Sequence, residues 1–252
     1  MATPTMLLLL ADGRFPAGAH AHSSGLEAAV AAGRVTDLAT LGEYLRGRLA
    51  TAGLVAAAFA AASCRAAVGP PGSSTVGRRA VDGDRPAGDP RPDGPSRRAT
   101  LVRLDAELDA RTASPAQRAV SRRQGRALRR AGREIWPEAV FDDLPATSDG
   151  PHQPLVLGLV GAAAGLDPPQ VATVAAHATV TGSASAAVRL LGLDPYQVQA
   201  LLVRLADACD AVAARAARAA EEPPERLPAA AAPLADIHAE AHVTWEVRLF
   251  AS

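Results

Sequence analysis

The sequence predicts an all-α protein, a single compact bundle of roughly eight to ten helices with one long disordered loop. Hydrophobic residues make up 48% of the 252 residues and aromatic residues only 3%, so the core must be built from Ala, Leu and Val. Alanine is the strongest helix former, and the residues that favour strands are scarce outside short runs. Apolar residues also recur at helical spacing between Gly and Pro breaks.

Capping and stop signals place the predicted helices in order along the chain. Ser24 and Glu27 have the spacing of a capping box, which predicts a helix start, and Gly33 is a natural stop. Asp37 is the cap of the next helix, and Asp194 followed by proline predicts the start of a long one. The predicted helices are Ser24–Ala32, one capped at Asp37, Leu54–Val68, Thr100–Ala113, Pro115–Ile135, His152–Ala164, one capped at Asp167, Pro195–Ala220 and Leu234–Val247.

Segment 69–98 differs in composition from the rest of the chain. Twelve of its thirty residues are Gly or Pro, ten are Arg or Asp, and only Val76 and Val81 could join a core. Such a segment cannot bury enough apolar surface to offset the entropy lost on ordering it. We therefore expect a disordered insertion within one domain that spans residues 1–252. A linker between two domains is the alternative interpretation.

Charge and cysteine content bear on partners and compartment. All 26 basic residues are Arg, and 26 acidic residues bring the formal net charge to zero, so we expect no nucleic-acid partner. Cys64 and Cys209 are isolated in the sequence, which is typical of inert thiols in a reducing compartment. The leucine run near the N-terminus is too short for an export signal or a membrane span. These features predict a cytoplasmic protein that does not enter a membrane.

Four histidines form two pairs with spacings that metal ligands use. His20 and His22 read H-x-H, and His238 and His242 lie at i and i+4 on one helix. If the pairs converged, the chain could be a helical metal-dependent hydrolase. However, H-A-E-A-H is not the H-E-x-x-H motif of zinc proteases, and the two pairs are far apart in sequence. We expect hydrogen-bonded or solvated histidines, no resident metal or other cofactor, and at most transient metal contacts.

One side of the predicted 115–135 helix is rich in arginine. It could be a solvated surface, a docking face for an acidic partner, or a helical module that binds RNA or anionic lipid. No nucleotide-binding motif, nucleophile elbow or paired-carboxylate site accompanies it, so nothing in the sequence indicates catalysis. The arginines on this side are Arg118, Arg122, Arg123, Arg126, Arg129, Arg130 and Arg133.

The N-terminal stretch resembles the signature of the urease accessory protein UreF family. That signature is an apolar run, an Asp, a Pro, Gly-Gly-Phe-Ser-His-Ser and then Gly-Leu-Glu. Ala19, His20 and Ala21 depart from it, at positions where the family usually has Gly, an aromatic residue and Ser. The matching residues are Asp12, Pro16, Gly18, His22, Ser23, Gly25, Leu26 and Glu27.

Four further motifs in the family's order extend the resemblance along nearly the whole chain outside segment 69–98. They are an Arg-x-x-Ser-x-x-x-Gly helix, a His-x-Pro-Val-x-x-Gly stretch, a serine helix with Ala-Ala-x-Arg-Leu-x-x-Gly, and a Pro…His…Arg-Leu-Phe-x-Ser ending. In the first of these, Ala116 replaces a residue that is often acidic in the family. The matching residues are Arg118, Ser121, Gly125, His152, Pro154, Gly158, Ser183, Ala186, Ala187, Arg189, Leu190, Gly192, Pro233, His242, Arg248, Leu249, Phe250 and Ser252.

The resemblance implies a non-enzymatic urease maturation factor that is dimeric. Such a factor joins the accessory protein UreD (UreH), recruits the GTPase UreG and docks on apo-urease, so that GTP hydrolysis drives nickel insertion. We expect the C-terminal tail either to fold back on the core or to be ordered by a partner. The residues that the resemblance assigns to partner binding are Pro16, Gly18, His22, Ser23, Gly25, Glu27, Arg118, Ser121, Gly125, Arg189, His242, Arg248, Leu249, Phe250 and Ser252.

Overall fold

The computed structural model of the chain describes residues 4–15, 22–69 and 96–250. These residues form α-helices and no β-strand, which confirms the predicted all-α class. A π-helical turn, Leu49–Gly53, joins α3 to α4, and short 3₁₀ turns lie at Phe141–Asp143 and Pro224–Arg226. The helices are α1 (Pro4–Ala11), α2 (Leu26–Ala31), α3 (Leu38–Arg48), α4 (Leu54–Val68), α5 (Arg97–Arg111), α6 (Pro115–Ile135), α7 (Gln153–Ala163), α8 (Pro168–Leu191), α9 (Pro195–Arg204), α10 (Ala206–Ala219) and α11 (Pro233–Val243).

Helix α4 lies at the centre of the bundle, between α7, α8 and α10. Its middle turns are almost entirely alanine, and those alanines are buried on all sides. Small side chains allow neighbouring helices to approach closely. At the crossing with α7, a Cβ added to Gly158 would lie 2.4 Å from the carbonyl oxygen of Ala60, so the crossing requires glycine.

Helix α5 confirms the apolar stripe predicted for it, although its start differs. Leu101, Leu104 and Leu108 are buried, as their spacing predicts. The helix begins at Arg97 because the Ser96 hydroxyl accepts the Ala99 backbone N–H as an N-cap. The predicted loop therefore ends earlier than residue 98, and its residues 70–95 lie outside the described part of the chain.

Three further helix bounds differ from prediction. The single helix predicted from Pro195 to Ala220 is wrong: it breaks at Leu205, which is buried and ends α9. No Gly or Pro marks the break. The break at Leu205 lets α9 pack on α3 and α8 while α10 packs on α4 and α8. The last helix ends at Val243, four residues early, and the leucine run near the N-terminus forms α1, which was not predicted.

Two helical stretches are long and apolar enough to cross a membrane by length and composition alone. They are Leu38–Val68 and Pro168–Leu191, and in each the most apolar window is 56% buried inside the protein. Both stretches contain the residues that α7 and α10 pack against. Their apolar character therefore has an explanation in the core of the bundle.

Candidate functional site

A buried carboxylate on α2 joins the beginning of the chain to its end. Glu27 Oε1 accepts the backbone N–H of Leu249 at 2.8 Å, and Oε2 accepts that of Phe250 at 3.1 Å. Oε2 also lies 3.0 Å from Nε2 of His242, a buried residue on α11. We call Ser23, Glu27, Arg189, His242 and Phe250 the Glu27 cluster. Both carboxylate oxygens of Glu27 are thus hydrogen-bonded, and through these bonds the cluster holds the C-terminal tail against α2 and α11.

The turn before α2 sets the direction of Glu27. Ser24 and Gly25 both have positive φ, at 56° and 85°, and this tight turn places Ser23 over the first helical turn. The Ser23 hydroxyl accepts the Glu27 backbone N–H, and the Ser23 carbonyl accepts the Ser183 hydroxyl of α8. The predicted Ser24–Glu27 capping box is therefore wrong, because the Glu27 carboxylate turns away from the helix start and binds the tail.

The tail presents one side to the core and the other to solvent. The Phe250 side chain is only 5% exposed, and the Arg189 guanidinium of α8 stacks 4.5 Å from the centre of its ring. Leu249 and Val247, by contrast, are 73% and 85% exposed, and Arg248 is exposed between them. Two placements were predicted for the C-terminal tail. Phe250 folds back on the core, as in the first, whereas Leu249 remains accessible to a partner.

A second polar cluster joins α5, α6 and α7. Arg122 donates to Asp105 and Asp109 at 3.1 and 2.7 Å, and to the Gly150 carbonyl at 2.6 Å. Asp105 in turn accepts the backbone N–H of the fully buried His152 at 3.2 Å. The Asp109 carboxylate lies 3.1 Å from His152 Nε2. We call Asp105, Asp109, Ser121, Arg122 and His152 the Asp109 cluster.

Burial and neighbouring groups shift the pKa values of His152 and Asp109. Burial lowers the pKa of His152 below its ordinary value, and the nearby charge of Arg122 lowers it further, so the ring is neutral at neutral pH. Burial acts to raise the pKa of Asp109, but the hydrogen bonds from Arg122 and His152 outweigh it and hold that pKa low. The cluster is therefore an arginine bonded to two aspartates beside a neutral imidazole, arranged across three helices.

Ser121, His152 and Asp109 form a hydrogen-bonded chain in the order used by serine hydrolases. Ser121 Oγ lies 3.0 Å from His152 Nδ1, but it also accepts the Gln153 backbone N–H at the start of α7. Asp109 is shared with Arg122, and the imidazole is completely buried. These bonds fix where α7 begins relative to α6, which is a structural role.

Two signature residues on α6 have the same structural role. The Arg118 guanidinium donates to the carbonyls of Thr112 and Ala113, the linker before the helix. A Cβ added to Gly125 would lie 2.0 Å from the Pro151 carbonyl oxygen, so glycine is required where α6 meets the start of α7. Both residues therefore help to set the position of α6 relative to its neighbours, Arg118 through the preceding linker and Gly125 at the start of α7.

The structure describes three of the four histidines that a metal-dependent hydrolase would have required to converge. His242 pairs with Glu27, while His238 is half-buried on another part of α11. Glu240 caps α6 by accepting the Ser114 hydroxyl and the Ala116 backbone N–H, and these bonds lower its pKa. Among residues 4–15, 22–69 and 96–250 there is no group of three or more His, Cys, Asp or Glu that could hold a metal. His22 is buried, and His20 lies outside these ranges.

The arginine side of α6 is divided by its contacts. Arg126 donates to the Asp149 carbonyl, and Arg133 pairs with Asp142. Arg122 is bound inside the bundle, and the half-buried Arg118 donates to the linker before α6. Together with Arg129 and Arg130, Arg126 and Arg133 line a shallow depression of about 300 Å³. Much of the arginine pattern that the sequence displays is thus explained by bonds within the chain.

The structure brings most of the expected partner-binding residues into two places. Ser23, Glu27, Arg189, His242 and Phe250 meet in the Glu27 cluster, with Gly25 in the turn beside it and Leu249 and Arg248 on its outer side. Arg118, Ser121 and Gly125 lie together on α6 in the second place, where Gly125 is buried and the other two are half-buried. Pro16, Gly18 and Ser252 fall outside the described residues. Sequence reasoning did not identify Asp105 and Asp109, although their i, i+4 spacing on α5 opposite an arginine-rich helix was a usable signal.

Comparison with known proteins is consistent with this distribution of motifs. A sequence model of the UreF family matches residues 35–206. The chain is 43% identical to the urease accessory protein UreF of Mycobacterium sp. (strain JLS) over the full length of both chains. It is 41% identical to UreF of Mycolicibacterium vanbaalenii over the same span, and 41% identical to that of Mycobacterium tuberculosis (strain ATCC 25177 / H37Ra) over 216 residues, 86% of each chain. The chain therefore belongs to the UreF family of urease accessory proteins.

Proposed function

We propose that this chain is a non-catalytic scaffold of urease maturation. It joins UreD (UreH), recruits the GTPase UreG and docks on apo-urease, so that GTP hydrolysis is coupled to nickel insertion into the urease active site. In this proposal the chain acts as a homodimer in the cytoplasm, carries no cofactor of its own, and contributes shape and binding surface rather than chemistry.

One observation carries the proposal beyond family membership. Signature residues from three distant parts of the chain meet at the tail. Glu27 of α2 accepts the backbone N–H groups of Leu249 and Phe250, Arg189 of α8 stacks on the Phe250 ring, and His242 of α11 hydrogen-bonds to Glu27. The tail held in this way exposes Leu249 and Val247 side by side with Arg248. A fixed strip with two exposed apolar side chains and a cation is suited to bind another protein, since ordering it in advance reduces the entropy lost on association.

Serine substitutions in this strip test the proposal. The double variant Leu249→Ser, Val247→Ser is co-expressed with UreD and UreG from the same genome, and complexes are recovered through a tag on UreD. The matched control is Val203→Ser, which removes an apolar side chain of similar exposure, 71%, from α9. We expect the double variant to lose UreD and to leave urease without nickel, while the control behaves as wild type. A wild-type chain that binds neither protein would refute the scaffold function.

A further inference from the structure

Helix α6 carries, on its exposed side, arginines that neither the Asp109 cluster nor the Glu27 cluster uses. Four of them line the shallow depression of about 300 Å³, and because the first and last are seven residues apart, the line extends about 10 Å along the helix. It lies C-terminal to the Arg-x-x-Ser-x-x-x-Gly motif, which ends at Gly125, so it is outside the residues that carry the family resemblance. We use the name arginine patch for Arg126, Arg129, Arg130 and Arg133.

The arginine patch carries more positive charge than its own surroundings neutralise. Arg126 donates to the backbone carbonyl of Asp149, which has no net charge, and Arg133 pairs with Asp142. Within the described part of the chain, the other two arginines of the patch make no hydrogen bond or ion pair. Among the described residues that line the depression, Glu134 alone has a carboxylate. Four arginines therefore meet two carboxylates, those of Glu134 and Asp142, which leaves an excess of two positive charges.

The spacing of these arginines opposes helix formation. They follow one another at i, i+3 and i, i+4, the spacings at which side chains on a helix are neighbours, and like charges placed so destabilise the helix. The fold tolerates this repulsion because the opposite side of α6 packs against α7 and α11. The bundle itself gains nothing from the patch, whereas carboxylates from another molecule would relieve the repulsion on binding.

A carboxylate-bearing protein segment suits the patch better than a nucleic acid does. The planar guanidinium group donates two parallel hydrogen bonds to a single carboxylate. Sites for single-stranded nucleic acid add aromatic side chains on which bases stack, and no aromatic residue is among the described residues that line the depression. The formal net charge of the chain is zero, so it also lacks the overall attraction for a polyanion.

We propose that the arginine patch binds an acidic segment of a partner protein in the maturation complex. The segment carries at least two Asp or Glu side chains within about 10 Å of each other, and these accept from Arg129 and Arg130. Because most of the patch is exposed, its main effect is on the rate of association, since opposite charges steer two proteins into their encounter. This inference rests on the proposed scaffold function and specifies the chemistry of a segment that one of the partners contributes.

Matched double variants test the patch. Arg129→Gln with Arg130→Gln removes two charges without breaking a bond in the described part of the chain, and glutamine is a good helix former. The control is Arg215→Gln with Arg218→Gln, which removes two exposed arginines from α10. Both double variants should melt as wild type does. The full chain is immobilised, and the association rates of UreD, UreG and apo-urease are measured in the order of assembly.

The expected signature is a salt-dependent loss of association rate. In about 0.1 M NaCl, where charges act over about 10 Å, the patch variant should slow the association of one partner about tenfold. In about 1 M NaCl the screening length falls to about 3 Å, so the difference from wild type should shrink to less than about twofold. The α10 control should associate at the wild-type rate at both salt concentrations.

A lysine placed in the patch identifies the partner segment. The chain contains no lysine, so Arg130→Lys keeps the positive charge and introduces a single side-chain amine. A carbodiimide activates a carboxylate of the partner, and the amine displaces the resulting urea to form an amide. Arg218→Lys on α10 is the control, and wild-type protein gives the background. We expect mass spectrometry to find position 130, but not position 218, joined to an Asp or Glu of UreD, UreG or urease.

The remaining outcomes separate the patch from the scaffold function. If wild-type protein assembles but the patch variant associates at the wild-type rate at the lower salt concentration, the patch proposal is wrong while the scaffold function stands. The same holds if position 130 is joined only to a second copy of this chain, or if the patch binds single-stranded RNA or anionic vesicles while protein assembly is unchanged by the substitutions. If wild-type protein does not assemble, the scaffold function itself fails, and the patch proposal with it.

Discussion

Glu27→Ala should release the C-terminal tail and destabilise the bundle. The substitution removes the acceptor of two backbone N–H groups and the partner of buried His242. A hydrogen bond to a charged group contributes about 1.5–3 kcal/mol. The tail can detach and regain water, so the net loss is smaller than the sum of three bonds. We expect about 3 kcal/mol, much of it from the exposure of Phe250 and from the unpaired imidazole.

For a chain of this size, each kcal/mol lowers the melting temperature by about 2–4 °C. Glu27→Ala should therefore melt roughly 6–12 °C below wild type. Calorimetry measures this, and hydrogen exchange of the Leu249 and Phe250 amides reports the tail directly. Glu43→Ala is the control, because Glu43 is exposed and pairs only with Arg46, so its removal should cost less than about 1 kcal/mol. Unchanged protection of the two tail amides in Glu27→Ala would show that the carboxylate does not hold the tail.

Three other predictions concern the rest of the bundle. The folded-state pKa of His152 lies below its unfolded value near 6.5, so on acidification the unfolded chain binds a proton before the folded chain does. The free energy of unfolding is therefore highest above that pH and falls as the pH drops below it. The melting temperature of His152→Gln should fall less between pH 7 and 5 than that of wild type, and a wild-type protein that gains stability on acidification would contradict this. Gly125→Ala should cost about 1–3 kcal/mol in denaturant unfolding through its clash with the Pro151 carbonyl, whereas Gly47→Ala, which meets nothing within 4 Å, should be neutral or gain up to about 1 kcal/mol. Replacement of residues 70–95 by a short Gly/Ser linker should shift the melting temperature by no more than a few degrees, and loss of folding would place a structural element there.

The sequence was sufficient for the fold class and for most helices. The capping residues Asp37, Asp167 and Asp194 accept backbone N–H groups as predicted, since this chemistry acts between near neighbours. The break at Leu205 was not predictable, because it results from where α4 and α8 lie and not from any local residue. Local rules cannot include packing partners that are distant in sequence.

The contacts of the candidate site were even less predictable from the sequence than the helix bounds. The resemblance identified Glu27, His242 and Phe250, but no spacing argument could show that they touch, since Glu27 and Phe250 are 223 positions apart. Reasoning from sequence spacing instead paired Glu27 with Ser24, because a capping box forms between near neighbours without any tertiary structure. Buried polar groups take the partner that the whole fold provides, and here that partner is the tail.

The bond between Glu27 and the tail also determines when the bundle can be completed during synthesis. A chain emerging from the ribosome contains α2 long before Leu249 and Phe250 exist outside the exit tunnel. Until they emerge, the Glu27 carboxylate lacks two of the N–H donors that it binds in the folded chain, and burying it without them is unfavourable. A chain that lacks Leu249 and Phe250 would therefore keep α2 loosely held, so this bond makes the packing of an early helix depend on residues synthesised more than two hundred positions later.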